Sequence, residues 1–355
     1  MSDTPEAPPR RVGLDNYGLF PLALSPLDIL RWADAHGADG VAFSGLTEEQ
    51  QAHINPGTLS DLRMFAADHH LYLEWGGGQH IPRDMTTWAP KSLFATNQRA
   101  AREAHQLGTR IVRSCSGGLM RWDDQSPPTD VLLRETAAAL GAQAAMLRDH
   151  GVVLAIETHF EFTSFELLRL FDMCAVTPGD WLGICLDTMN LLTLLEDPVR
   201  ATARLLPWVV STHIKDGGVL MGSSGLTTFP MPVGAGVIDL AHILGQLDSL
   251  PSDVHLSVED HGGSFHLPID DPVFLAKFPD LDGAELAGLI RLSEVTAQDP
   301  ACRPVDRSMW ADLCERRIAQ DLVALQTLSR RVPRPSIHRL GDKLVPSGRS
   351  AEQAS

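Results

Sequence analysis

The chain has 355 residues, 44% hydrophobic and 21% charged, enough for one large globular domain or two ordinary ones. A formal net charge of −16 opposes polyanionic partners, so no nucleic-acid role is expected; no apolar stretch nears the roughly 20 residues that span a bilayer, so no membrane role is expected either. The five cysteines (Cys115, Cys174, Cys185, Cys302 and Cys314) form no C-x-x-C pair, and the polar, Pro-rich N-terminus has no signal-peptide core, so a reducing, cytoplasmic setting is expected.

From residue 11 onward, short apolar runs alternate with longer stretches of helical spacing, the texture of βα units. Runs at 12–17 and 40–44 precede predicted helices at 26–36 and 59–70. The run at 71–75 ends in Gly76, Gly77 and Gly78, ahead of a helix at 92–107. The run at 109–114 leads through Gly117 and Gly118 to a helix predicted across 130–151, where Leu133, Ala137, Leu140, Ala144 and Leu147 share a face. After the run at 152–158, Thr163 and Glu166 form a capping-box pattern that opens a helix at 165–174. Runs at 181–187, 209–215 and 254–259 complete the series, with helices at 197–206 and 238–250 between them. The segment 217–236 is a Gly/Ser/Pro-rich loop with the glycine content of a lid.

Eight such strands over about 250 residues match a single (β/α)8 TIM barrel. A doubly wound sheet is the alternative, yet the first run leads into Asp15-Asn16-Tyr17-Gly18 and not into a G-x-G-x-x-G phosphate loop. Helical stretches at 284–297 and 308–331 are read as the barrel's last helix plus an appended one. Residues 1–10 are expected to form a flexible N-terminus, 11–331 the barrel with its C-terminal helical extension, and 332–355 a disordered tail.

Active sites of such barrels lie at the C-terminal ends of the strands. The last four runs each end in a strong ligand: VLAIETHF with Glu157, GICLDTMN with Asp187, VVSTHIKDGG with His213 and HLSVEDHGG with Glu259. A single Glu or His after a strand is ordinarily a cap or a solvated loop residue; four in succession converge on one rim. Three carboxylates and one imidazole make a hard donor set for one divalent ion, Mn²⁺, Mg²⁺ or Co²⁺, with Zn²⁺ less favoured. A cation also relieves the repulsion among packed carboxylates. Glu74, His80, Arg113, His159, Asn190, Lys215 and His261 are candidate substrate contacts. Inward-pointing Arg113 and Lys215 would suit a carboxylate substrate, whereas a neutral rim with Trp75 and Phe160 would suit a free sugar. Lys215 is read as an ammonium paired with Asp216 or Glu157 in preference to a Schiff-base amine.

In their order, Glu157, Asp187, His213-Ile214-Lys215-Asp216 and Glu259 resemble the sugar isomerase/epimerase superfamily of xylose isomerase-like barrels (AP endonuclease family 2-like), over roughly residues 11–330. Pro232-Val233-Gly234-Ala235-Gly236-Val237-Ile238-Asp239 is similar to that group's P-x-G-x-G-x-I-D. The resemblance implies a metal-dependent isomerase or epimerase acting on a small keto- or hydroxy-sugar through a metal-stabilised enediolate. In it Glu157, Asp187, His213 and Glu259 hold the metal, and Glu157 and Glu259 are the catalytic acid–base pair. Two departures stand out: Asn190 occupies a position where the epimerases carry His, and the loop after His213 has no Arg through Thr228. The alternative implied is a metal-dependent lyase that decarboxylates an oxidised, 3-oxo sugar acid. A non-catalytic binding barrel is disfavoured because all four ligand positions are filled. The expected partner is a small sugar or sugar acid, and a homo-oligomer is left open.

Overall fold

The computed structural model describes residues 10–331 except residue 252. The segments read as a flexible N-terminus (to residue 9) and a disordered tail (332–355) lie outside the described residues. Arg10, assigned to that N-terminus, is instead anchored: its guanidinium donates to the carbonyls of Pro251 and Val254.

Eleven strands are named here in chain order. They are β1 (Val12–Asp15), β2 (Gly40–Phe43), β3 (Tyr72–Gly78), β4 (Ile111–Ser114), β5 (Val153–Glu157), β6 (Leu182–Asp187), β7 (Val209–Ile214), β8 (Asp216–Gly222), β9 (Gly225–Met231), β10 (Leu256–Val258) and β11 (Phe265–Leu267). β1 to β7 and β10 close into a parallel barrel in sequence order, so the chain is a (β/α)8 TIM barrel. Every residue of β5 and β6 is buried, which is why these strands read as unbroken apolar runs and not as alternation. Outside the strands, Leu30, Leu62, Ala104, Leu140, Leu170, Leu205, Ile243 and Leu322 are buried in one continuous core.

Three predicted elements come out differently. The helix expected across 130–151 is two helices, Thr129–Gly141 and Ala144–Asp149. Buried Gln143 sits at the break, where its Nε2 donates to the Ala139 carbonyl and its Oε1 accepts from Asn97. The side-chain hydrogen bonds outweigh the helical periodicity, which continues across the break.

The glycine-rich segment after His213 is no lid loop. It is a β-hairpin, β8 with β9, extended by β11 into a three-stranded antiparallel sheet over the C-terminal mouth. Its glycines serve close packing: a Cβ on Gly217 would stand 2.7 Å from Met189 Cγ, and one on Gly218 2.6 Å from the Phe229 ring. The helix Gly283–Gln298 packs on β8, while Trp310–Arg331 packs against β1 and β10. The last helix is therefore the one that closes the barrel, and the earlier one is the insertion that supports the hairpin.

Candidate functional site

The polar residues at the C-terminal mouth are placed by strand register. Asp187 lies opposite His213 across the β6–β7 pairing, and Glu157 lies opposite Cys185 across β5–β6. Two threonines carry the pairing beyond the strand ends. Thr158 Oγ1 donates to the Asp187 carbonyl and accepts from the Asp187 N–H, and Thr188 Oγ1 does the same for Lys215. The backbones of Asp187 and Lys215 are thus held on both sides, as a precise site requires.

The four candidate ligands come together. One ligand atom from each of Glu157, Asp187, His213 and Glu259 lies within 4.8 Å of the others, and all four residues are buried. His213 Nδ1 faces Glu157 Oε1 at 3.6 Å and Glu259 Oε2 at 3.2 Å. Asp187 Oδ1 accepts from the N–H groups of Met189 and Asn190, which leaves Oδ2 facing inward. Glu157 Oε2, Asp187 Oδ2, Glu259 Oε2 and both nitrogens of His213 are buried and have no hydrogen bond, only ion-pair contacts. Buried polar atoms left in this way cost stability unless something charged engages them. Hard oxygens and one imidazole around a point fit a divalent cation by chemistry as well as by geometry.

Two cations stand in contact with this cluster. Lys215 Nζ is 2.8 Å from Asp187 Oδ2 and 2.5 Å from Glu259 Oε2, and Arg113 Nη2 pairs with Glu157 Oε2. The partners expected for Lys215, Asp216 and Glu157, are therefore replaced by Asp187 and Glu259. Burial alone would lower its pKa, but the surrounding carboxylates raise it above the ordinary lysine value, which opposes a Schiff-base amine. Asp216 has a separate task. Its carboxylate accepts from the N–H groups of Gly217, Gly234, Gly236 and Ile238, which ties the PVGAGVID turn to the end of β7. A Cβ on Gly236 would stand 2.1 Å from Asp216 Oδ1, so the turn admits only glycine there.

The remaining sequence candidates divide. Asn190 is buried beside the cluster, with Nδ2 3.4 Å from Glu157 Oε1. His261 is half-buried, edge-on to Tyr17; burial, aided by the Lys215 charge, pushes its pKa down to about 4. His159 bonds through Nδ1 to Glu161 Oε2 at 2.8 Å, and its ring packs on Phe160. His80 is buried and bonds through Nδ1 to Ser114 Oγ at 3.0 Å, with Nε2 uncommitted. Glu74 lies elsewhere. It is buried inside the barrel, accepts from Ser211 Oγ and lines a cavity of about 640 Å³ that also touches Pro178, Pro207 and Pro251 at the N-terminal ends of the strands. Trp75 is likewise off the rim, buried against Phe43 with Nε1 on Glu103.

Three residues escaped the sequence reading. Asp15, at the end of β1, places Oδ2 3.3 Å from His213 Nε2, while its Oδ1 accepts from Ser44 and from the Tyr17 N–H. A carboxylate behind the non-ligating nitrogen orients an imidazole for metal binding. Glu161 and Arg121 are also buried, Arg121 pairing with the capping-box residue Glu166. The strand-end position of Asp15 was the available signal; the segment Asp15-Asn16-Tyr17-Gly18 was weighed only as a phosphate loop.

A parallel eight-stranded barrel with such a mouth defines the class, a TIM barrel whose polar site sits at the C-terminal ends of its strands. The chain belongs to the xylose isomerase-like TIM barrel family, whose family model matches residues 30–276. A 3-oxo-isoapionate decarboxylase of Pectobacterium atrosepticum is 24% identical over 239 residues, 64% of this chain and 77% of that protein. An L-ribulose 3-epimerase structure superposes with a TM-score of 0.54 at 19% identity, covering 86% of this chain and 96% of that one. A xylose isomerase-like barrel from Mycobacterium smegmatis, solved in complex with magnesium, superposes at 0.53 with 16% identity, covering 80% and 98%. The two relatives with a stated activity are enzymes, one a decarboxylase and one an epimerase. No helix among the described residues is long and apolar enough to cross a membrane.

Proposed function

We propose that this chain is a divalent-metal-dependent lyase that decarboxylates a small 3-oxo sugar acid. Glu157, Asp187, His213 and Glu259 would hold the metal, and Asp15 would orient His213. When bound, the cation supplies a positive charge that stabilises negative charge developing on a substrate oxygen.

The observation that carries the reading is the pair of cations, Arg113 and Lys215, in contact with the ligand carboxylates. Counting Asp15, which faces His213, the site has four carboxylates, Asp15, Glu157, Asp187 and Glu259, and a divalent ion together with Arg113 and Lys215 would offset their four charges. The site would then be neutral overall, so a substrate carboxylate would be met locally by the two side-chain cations and not by a net charge. Arg113 and Lys215, which line the cluster, are the cations placed to meet a substrate at the mouth. Arg113 recognises the carboxylate. As CO₂ leaves, the electron pair of the broken C–C bond passes onto the ketone oxygen, and the carbon then takes a proton from Lys215 Nζ. The likeness to the 3-oxo-isoapionate decarboxylase supports the same class of reaction.

A second reading has its own observation. Glu157 and Glu259 approach His213 Nδ1 from two strands, the arrangement of a two-base epimerase acting on a neutral ketose. The two readings separate in one experiment: Mn²⁺-loaded protein in D₂O, given 3-oxo sugar acids and neutral ketoses in parallel. The proposal expects CO₂ from the acids and no deuterium in the ketoses. Deuterium incorporation into ketoses without CO₂ release overturns it in favour of epimerisation.

A further inference from the structure

A second group of cation-ligating atoms stands beside the first among the described residues. Cys115 Sγ, a ring nitrogen of His159 and a carboxylate oxygen of Glu161 lie within 4.8 Å of one another. Cys115 follows the end of β4 and His159 follows the end of β5. These strands pair with Ser114 opposite Ile156, so Cys115 comes one step beyond, alongside Glu157.

Glu161 is held unusually firmly for a loop residue. Its Oε1 accepts from the N–H groups of Ser116, Gly117 and Gly118 at 3.0, 2.6 and 3.3 Å. That cradle fixes the carboxylate and leaves Oε2 directed at His159 Nδ1. Cys115 Sγ lies 3.9 Å from Glu161 Oε1. A carboxylate built into its own loop and aimed at an imidazole beside a free thiol is more organisation than a mouth loop needs.

His80 is the independent observation. Its N–H and that of Ile81 both donate to Ser116 Oγ, so it is anchored to the loop that cradles Glu161. It is 1% exposed, and Nε2 has no hydrogen-bond partner. With Nδ1 bonded to Ser114 Oγ, Nε2 is the ring nitrogen left without a partner, and in the tautomer with Nδ1 protonated it would offer a lone pair.

The donor chemistry differs from that of the four-residue cluster. Sulfur with nitrogen and one oxygen favours a softer ion, and three protein ligands leave a fourth position open. We propose that Cys115, His159 and Glu161 form a second divalent-cation site, distinct from the four-residue cluster and selective for a thiophilic ion such as Zn²⁺ or Co²⁺. Occupancy would clamp the loops after β4 and β5 together at the mouth. The site stands whether the reaction is decarboxylation or epimerisation.

The test is Co²⁺ titration of the full chain, read by metal stoichiometry and by the near-ultraviolet thiolate-to-Co²⁺ charge-transfer band. The wild type is expected to take two Co²⁺ per chain and to show the band. Cys115→Ser is expected to take one and lose the band, with thermal unfolding of the metal-free protein unchanged. His159→Gln, which keeps the thiol, should also lose the band, and Glu259→Gln should keep it. Cys185 lies inside the barrel near His213 and is the rival thiol. A band that survives Cys115→Ser and vanishes in Cys185→Ser overturns the proposal. So does a single Co²⁺ per chain with no band.

Discussion

The two halves of the barrel feed its C-terminal mouth differently. Of the four candidate ligands, β5 and β6 end in Glu157 and Asp187, β7 carries His213 one residue before its end, and β10 ends just before Glu259. β1 to β4 bring groups that act on those four: Asp15 behind His213, Arg113 on Glu157, and Ser44 behind Asp15. One half supplies the donor set together with Lys215; the other adds Arg113 and the carboxylate behind His213. The contrast makes a ranking of effects, because a lost ligand removes a bond to the metal while a lost supporting group only loosens it.

The largest effect belongs to the ligand half. His213→Ala is expected to abolish stoichiometric Mn²⁺ binding in calorimetry; wild-type affinity in that variant would break the comparison. Next comes the charge donor of the other half. Arg113→Gln removes a charge-assisted contact to the substrate carboxylate, an effect of about 1.5–3 kcal/mol, or roughly 10–100-fold in kcat/KM for 3-oxo acids. Retained metal binding in the same variant would confirm that the loss falls on substrate recognition.

Sequence and structure meet unevenly across these halves. The four candidate ligands were legible as a group because each stands at the end of a buried apolar run, and Asp216 with Gly234 and Gly236 was legible as a motif whose bonds the fold now explains. Asp15 was hidden, since its contact with His213 joins residues 198 apart in the chain and its strand-end position alone does not name its partner. The hairpin β8–β9 was hidden as well, because Gly217, Gly218, Gly222 and Gly225 interrupt the alternation that marks a strand. Glu74 misled for the opposite reason. It lies in an apolar run near the glycines that end it, yet its depth in β3 sets it inside the barrel, on the cavity at the N-terminal ends.

Two smaller effects sharpen the contrast. Asp15→Asn keeps the shape but removes the charge behind His213, and Mn²⁺ affinity is expected to fall about 10–100-fold. An unchanged affinity would mean that Asp15 serves the fold alone. Glu74 should matter to stability and not to metal binding. Burial raises its pKa to about 7 from the ordinary 4.5. Between those values the folded chain holds a proton that the unfolded chain has lost, so stability falls as pH rises through that window. Glu74→Gln should remove that slope, which is at most about 1.4 kcal/mol per pH unit, as read by denaturant midpoints at pH 5 and 7.

The most direct test of the central claim is anomalous diffraction from Mn²⁺-loaded crystals. The account predicts a peak about 2.0–2.6 Å from oxygens of Glu157, Asp187 and Glu259 and from His213 Nδ1, with Lys215 Nζ moved off Asp187 and Glu259. A cluster without a peak, with Lys215 still bridging the two carboxylates, would contradict it.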